Sequence, residues 1–259
     1  MHLASIVARH WPFANGSGRI IDKFGNKIDL GTGEREVETS HGFPLAVLAD
    51  DLIGRHILLT GQFDHSIVKQ LLSRARPGDV LLDIGANIGY VTACFLQKVQ
   101  DGLAVCVEPQ PGIVDLLRKN MRHFRERAEV HQVALSDHDG EASFHINSIN
   151  RGASRLTDSG EIKVRMLDAA KLLGGMSRLD LIKMDVEGHE LTILRAIEPH
   201  LNRLKPRAIL FEDHTGSVDI RSILERCGYT IYGIDKRLLR TRLSKRGLFN
   251  DYLALAPGA

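Results

Sequence analysis

Residues 80–89 read VLLDIGANIG. Val80 to Leu82 and Ile84 form a short apolar run behind the turn Arg76-Pro77-Gly78-Asp79, which is the pattern of a buried strand. Small residues follow at Gly85, Ala86, Asn87 and Gly89, and then GYVTACFLQKV (89–99) has helical spacing. A strand that runs through a glycine loop into a helix brings backbone close to a ligand at the strand's carboxyl end.

Working outward, the same alternation continues. LAVCVEP (103–109) reads as a strand and IVDLLRKNMRHF (113–124) as a helix; EVHQVALS (129–136) and EASFHIN (141–147) read as two strands. A polar loop leads to strand IKVRML (162–167), helix DAAKLLGG, strand LDLIKMD (179–185), helix HELTILRAI (189–197) and strand RAILFED (207–213). Helix SVDIRSILERCG (217–228) and two strands, TIYGID (230–235) and LFNDYLALA (248–256), close the pattern, the last two as an antiparallel pair at the sheet edge. Strands alternating with helices predict an α/β, doubly wound, Rossmann-like fold: a mostly parallel seven-stranded sheet with an antiparallel edge strand. Ahead of it, residues 1–60 read as an N-terminal extension with short strands such as RIIDKFG and RHILLTG, and residues 61–259 as the main domain, opening with a helix over 66–73.

The 259 residues are 43% apolar and 25% charged, enough to bury a sizeable core. Lys plus Arg number 34 against 32 for Asp plus Glu, so a net charge of +2 gives no global field toward nucleic acid or membrane. No apolar run is long enough to span a bilayer. Cys94, Cys106 and Cys227 form no C-x-x-C pair, fit neither a disulfide framework nor a zinc cluster, and suit a reduced, cytoplasmic setting as core filler.

Glu108 ends the strand after the glycine loop, where a carboxylate can accept both ribose hydroxyls. Loop and acid together describe a nucleoside site. The loop glycines are spaced G-x-x-x-G, unlike the dinucleotide fingerprint, which weighs against a nicotinamide cofactor. A zwitterionic nucleoside such as S-adenosylmethionine has no pyrophosphate to cradle. Backbone amides at the helix start can take its carboxylate, and Asp83 is expected to offset its ammonium.

DIGANIGYVT, VEPQP, ALSD with Gly140, VRMLD, LIKMDVEGHELTIL, AILFED and NDYLALAP together resemble the FkbM family of methyltransferases, over roughly residues 78–256. The resemblance implies a class I fold, S-adenosylmethionine as cofactor, and methylation of hydroxyl oxygen on sugars, glycoconjugates or natural products. It also implies that Asp83, Gly85, Ala86, Asn87 and Gly89 form the cofactor loop, Glu108 the ribose acid, and Ala134 with Leu135 the adenine wall. Gln132 departs from the family pattern beside that wall.

Methyl transfer to an unactivated hydroxyl needs in-line alignment and a proton acceptor. Asp185, Glu187, His189, Glu190, Glu212, Asp213 and His214 gather at two neighbouring strand ends. His189, four residues after Asp185, is expected one helical turn on and facing the same cleft, as base, with Asp185 or Glu212 orienting it. Glu187, Arg151 and Ser154 are the expected acceptor contacts, and Lys183 a buried partner of Asp185 or an acceptor-site cation. Hard oxygen donors at Asp185, Glu212 and Asp213 leave Mg²⁺ possible but not favoured, and no metal ligand is assigned. The basic stretch Lys236 to Arg246 reads as a solvated connection, so nucleic acid is not an expected partner; a small-molecule or glycan acceptor is. The rival readings are a noncatalytic nucleoside- or RNA-binding module and a nicotinamide-dependent oxidoreductase.

Overall fold

The computed structural model describes Ile21, residues 28–237 and residues 239–259. The expected strand RIIDKFG lies outside the described residues apart from Ile21. Strands β1 (Glu34–Glu38) and β2 (Pro44–Leu48) pair as an antiparallel hairpin. RHILLTG, expected as a strand, is instead the body of helix α1 (Leu52–Thr60). Asp51 caps it, its carboxylate accepting from Ile53 and Gly54 N–H, and Gly61 ends it in the left-handed conformation. With both ends capped, Ile53, Ile57 and Thr60 fall on one buried face, so helical period wins over the short apolar run.

Helix α2 (His65–Leu72) leads into β3 (Val80–Ile84), α3 (Tyr90–Lys98), β4 (Leu103–Val107), α4 (Pro111–Met121) and β5 (Ala128–His131). A second run contains β6 (Ala134–Ser136), β7 (Gly140–His145), β8 (Arg155–Thr157), β9 (Ile162–Asp168) and α5 (Ala169–Gly174). Then come β10 (Leu181–Met184), α6 (Glu190–Leu204), β11 (Ala208–Glu212), α7 (Val218–Arg226), β12 (Thr230–Lys236), β13 (Thr241–Ser244) and β14 (Asp251–Leu255).

The main sheet has the order β13-β12-β14-β11-β10-β3-β4-β5. It therefore holds eight strands, not seven, because the basic connection after β12 folds back as β13. Strands β3, β4, β5, β10 and β11 pair in parallel; β14 is antiparallel to β11 and β12, and β13 to β12. The expected edge pair is thus a three-strand arrangement, with β14 inserted one place inside and the antiparallel edge formed by β13.

A second sheet, β6-β9-β7-β8, was not foreseen. EVHQVALS reads as one strand, but the chain leaves the main sheet at Gln132 and Val133 and enters the small sheet at Ala134. Phe144, Val164 and Met166 form that sheet's own apolar cluster with Ala134.

Two cores lie on the faces of the main sheet. One gathers Leu81, Phe95, Leu117 and Ile113 with Phe43, Leu45, Val47 and Ile57 from the N-terminal hairpin and α1. The other gathers Leu82, Ile84, Ile193, Leu194, Ile209 and Tyr252. Residues 43–57 thus share one apolar core with the sheet. Asn120 ties them further: its amide donates to Ala46 and Ile88 C=O and accepts from Ala46 N–H. Among the described residues no helix is long and apolar enough to cross a membrane.

Candidate active site

A cleft of about 1140 Å³, counted with its open mouth, lies at the carboxyl ends of β3, β4, β10 and β11. Its floor is the loop 85–89. Gly85 has φ +74° and its backbone lies so close to Asp185 that a Cβ would sit 1.9 Å from the Asp185 carbonyl oxygen. Gly85 and Ala86 N–H both donate to Val107 C=O, and Asn87 turns the chain at φ +50°. Gly89 starts α3 in the left-handed region, pressed against Leu117 and Met121.

Glu108 is buried at the end of β4. One carboxylate oxygen accepts from Asn87 N–H at 3.0 Å and the other from Gln110 N–H at 2.9 Å. Burial pushes its pKa up to about 7, against the opposing pull of these two N–H groups and of Lys183. The same carboxyl lines the cleft, with Val107, Pro109, Val133, Ala134 and Leu135 as an apolar wall beside it. Gln132, outside that wall, accepts from Arg118.

Asp83 does not line the cleft. It is fully buried, accepts from the Thr92 hydroxyl at 2.6 Å and faces Lys183 at 3.3 Å. It therefore cannot stand beside a ligand ammonium. The group that reaches the cleft from this pair is Lys183, which donates to Gly85 C=O at 2.6 Å and lies 3.8 Å from Asp185. Burial opposes the lysine's charge, but Asp83 and Asp185 outweigh it and hold its pKa above the ordinary value.

His189 is not one helical turn beyond Asp185. Glu187 and Gly188 both take positive φ, +52° and +101°, so the chain reverses before α6 begins, and His189 is the residue that precedes the helix. Its ring lines the cleft with Nε2 3.1 Å from the Ser136 hydroxyl. Burial lowers its pKa, with Asp137 opposing and His138 adding to the shift. Ser136, not Asp185 or Glu212, orients the ring.

Asp185 and Glu212 form a separate group on the cleft wall. Burial, then Asp185, Glu187 and Asp251, push the Glu212 carboxyl up to about 9, and Asp185 hydrogen-bonds to it. Asp251 faces Glu212 in the β11–β14 register and is held by Lys236, which also binds Asp64. The Asp64–Lys236–Asp251 chain escapes sequence reading because it joins three distant segments. In the sequence Asp251 shows only as an acid inside the last strand, LFNDYLALA, and its pairing with RAILFED comes from the structure.

Of the seven groups expected to converge, two serve the backbone. Glu190 accepts from Val186 and Gly188 N–H, and Asp213 accepts from Thr215 and Ser217 N–H, which removes Asp213 as a metal donor. Glu187 does not line the cleft. It lies with Glu212 and His214, whose ligand atoms all fall within 4.8 Å of one another, a donor set that could hold a hard divalent cation. Arg151 and Ser154 do line the cleft, together with the 85–88 backbone. Arg151 N–H donates to Asp51 and its guanidinium to Asp50, and the Ser154 hydroxyl accepts from Asn147 N–H.

The amino-acid sequence has relatives. The chain is 28% identical over 156 residues to the hexuronic acid methyltransferase AglP of Haloferax volcanii, covering 59% of this chain and 63% of that protein. It is also 28% identical over 185 residues to the 2-O-methyltransferase NoeI of Sinorhizobium fredii, covering 62% of this chain and 75% of that one. Among solved structures, precorrin-6y C5,15-methyltransferase from Geobacter metallireducens superposes with a TM-score of 0.45 at 14% identity, over 75% of this chain and 90% of that chain. Residues 83–231, from the aspartate of the glycine loop to the second residue of β12, match the methyltransferase FkbM domain, and the chain belongs to that methyltransferase family.

Proposed function

We propose that this protein transfers the methyl group of S-adenosylmethionine to a hydroxyl oxygen of a sugar or glycoconjugate. The observation that carries the reading is the meeting, in one cleft, of the 85–89 loop, the buried Glu108 and the Asp185–Glu212 strand ends. The fit to the cofactor rests on chemistry. Glu108 keeps lone pairs for ribose hydroxyls, Val133 to Leu135 give an apolar wall for a purine, and Gly85 and Gly89 let the loop pack tightly against Asp185, Leu117 and Met121 at the floor of the cleft. The cofactor supplies an electrophilic methyl group on a sulfonium centre.

The chain's own residues do the rest. Asp185 and Glu212 accept from or donate to acceptor hydroxyls, and Lys183 anchors Asp185 while holding the loop through Gly85 C=O. His189, neutral because burial lowers its pKa, takes the hydroxyl proton, with Ser136 fixing its ring. Arg151 and Ser154 close over the loop and exclude water. Glu187 acts on the acceptor side through Glu212. The extension expected at residues 1–60 is proposed as part of the catalytic unit, because residues 43–57 share its core. A sugar as acceptor is supported by one relative, a hexuronic acid methyltransferase, and oxygen as the methylated atom by another, a 2-O-methyltransferase.

Calorimetric titration with S-adenosylhomocysteine, followed by a radiolabelled transfer screen over free and nucleotide-linked sugars with Mg²⁺ or with EDTA, tests the reading. Binding plus transfer in EDTA is expected. A folded protein that does not bind S-adenosylhomocysteine would overturn the proposal, and transfer only with Mg²⁺ would make Glu187, Glu212 and His214 metal ligands.

A further inference from the structure

Five large apolar side chains are exposed among the described residues; three of them, Ile149, Leu239 and Leu248, stand on loops and a fourth, Val218, opens α7 after β11. Leu239 (71% exposed) lies in the turn between β12 and β13, and Leu248 (80%) in the loop before β14. Leu248 packs beside Gly216, two residues from Val218, which is 74% exposed at the start of α7. Ile149 (76%) is in the loop that continues into Arg151 and Ser154 of the cleft wall. The fifth, Leu103, begins β4 at the opposite edge of the sheet. The rim position of the first two follows from β12 and β14: Lys236 at the end of β12 binds Asp251 at the start of β14, and Asp251 faces Glu212.

Acids and bases both occupy this rim, but the charges left without an ion-pair partner on the 236–246 segment are basic. Lys236 and Arg237 have acidic partners, and Lys245 lies over the Tyr232 ring. Arg240, Arg242 and Arg246 are exposed and form no ion pair among the described residues. A solvated connection needs neither bare leucines at its turns nor three uncompensated arginines. Apolar tips set among arginines are complementary to a bilayer interface, where the apolar atoms enter the acyl boundary and the guanidinium groups meet anionic headgroups.

We propose that this rim docks on the surface of an anionic lipid bilayer. Leu239 and Leu248 enter the interface and Arg240, Arg242 and Arg246 face the headgroups. Docked so, the cleft mouth opens onto the membrane. On the reading of the cleft as a methyl-transfer site, the acceptor is then a glycan held at a lipid surface rather than a freely diffusing sugar.

Co-sedimentation of the full chain with phosphatidylglycerol vesicles, phosphatidylcholine vesicles and single-stranded RNA at 150 mM salt, about the physiological ionic strength, tests this. Binding to phosphatidylglycerol alone is expected, weakened more than about tenfold in R240E/R242E/R246E and also in L239D/L248D, with S-adenosylhomocysteine affinity unchanged in both. No vesicle binding, vesicle binding indifferent to L239D/L248D, or tighter retention of RNA than of vesicles would overturn the proposal. Failure of S-adenosylhomocysteine to bind the parent chain would instead overturn the transfer reading, and leaves the vesicle result standing by itself.

Discussion

Lys183 and Asp83 are register partners across β10 and β3, with Nζ 3.3 Å from the carboxylate and also donating to the carbonyl of Gly85. Two adjacent parallel strands are thereby joined, on their buried face, to the first residue of the glycine loop. The loop is thereby tied, through Lys183, to an aspartate that is sealed from solvent.

Breaking that pair leaves a charge without its partner in a dry interior. Lys183→Met is expected to lower the unfolding free energy by about 3–5 kcal/mol, and Lys183→Met with Asp83→Leu to recover most of it. Urea unfolding of the two variants and the parent checks both statements. An equal loss in the single and double variants would mean that the pair does not act as a unit.

Burial pushes the Glu108 carboxyl up to about 7, and in the ribose-binding role proposed for it only the ionised form could accept from two hydroxyls at once. Affinity for S-adenosylhomocysteine is therefore expected to fall on going from pH 8 to pH 6, by roughly five- to tenfold. Glu108→Gln should bind more weakly at pH 8 and show a flat profile. Calorimetry at three pH values reads both effects.

Glu212 gives a stability signature of definite sign. Its folded pKa of about 9 lies above the ordinary carboxyl value, so the folded chain holds a proton that the unfolded chain releases between about pH 4.5 and 9. The contribution is complete below that window and is lost as pH rises through it. Glu212→Gln is expected to raise Tm relative to the parent at pH 8–9 and to leave it unchanged near pH 4. Thermal melts across that range check the crossing.

His189 and Ser136 give the kinetic test. His189→Ala should lower kcat by about a hundredfold or more, with S-adenosylhomocysteine affinity within about twofold of the parent. The acid limb of the parent's kcat profile should lie below pH 6.5, since burial lowers the imidazole's pKa, and activity should rise with pH through it. A purely structural role for His189 would leave that limb in place in the variant.

The sheet was legible because its signal is local. Residues 80–89 carry the strand, the left-handed glycines and the helix start within ten positions, and Glu108 follows at the next strand end. The helical character of residues 52–60 was masked because RHILLTG has the composition of a strand, and only the cap at Asp51 and the turn at Gly61 decide otherwise. The β5–β6 break was hidden for a related reason: both strands are apolar in alternation, and nothing at Gln132 or Val133 marks a change of sheet. His189 was misplaced by assuming helical spacing across Glu187 and Gly188. A non-glycine residue at φ +52° is not foreseeable from its type. Asp83 was aimed at a ligand because its strand position suits one, while its real partners, Thr92 and Lys183, come from a helix and a neighbouring strand.

The contact between Gly85 and the Asp185 carbonyl couples the two halves of the cleft as a common wall couples two rooms. A larger residue at 85 would push the glycine loop and the Asp185 strand end apart together, so on the proposed reading Gly85→Ala should impair cofactor affinity and turnover in the same variant. The main chain here has no slack with which to re-space the loop and the strand end. On the proposed reading, a change of acceptor would have to come from side chains and from the 147–154 segment that lines the cleft, while this wall stays fixed.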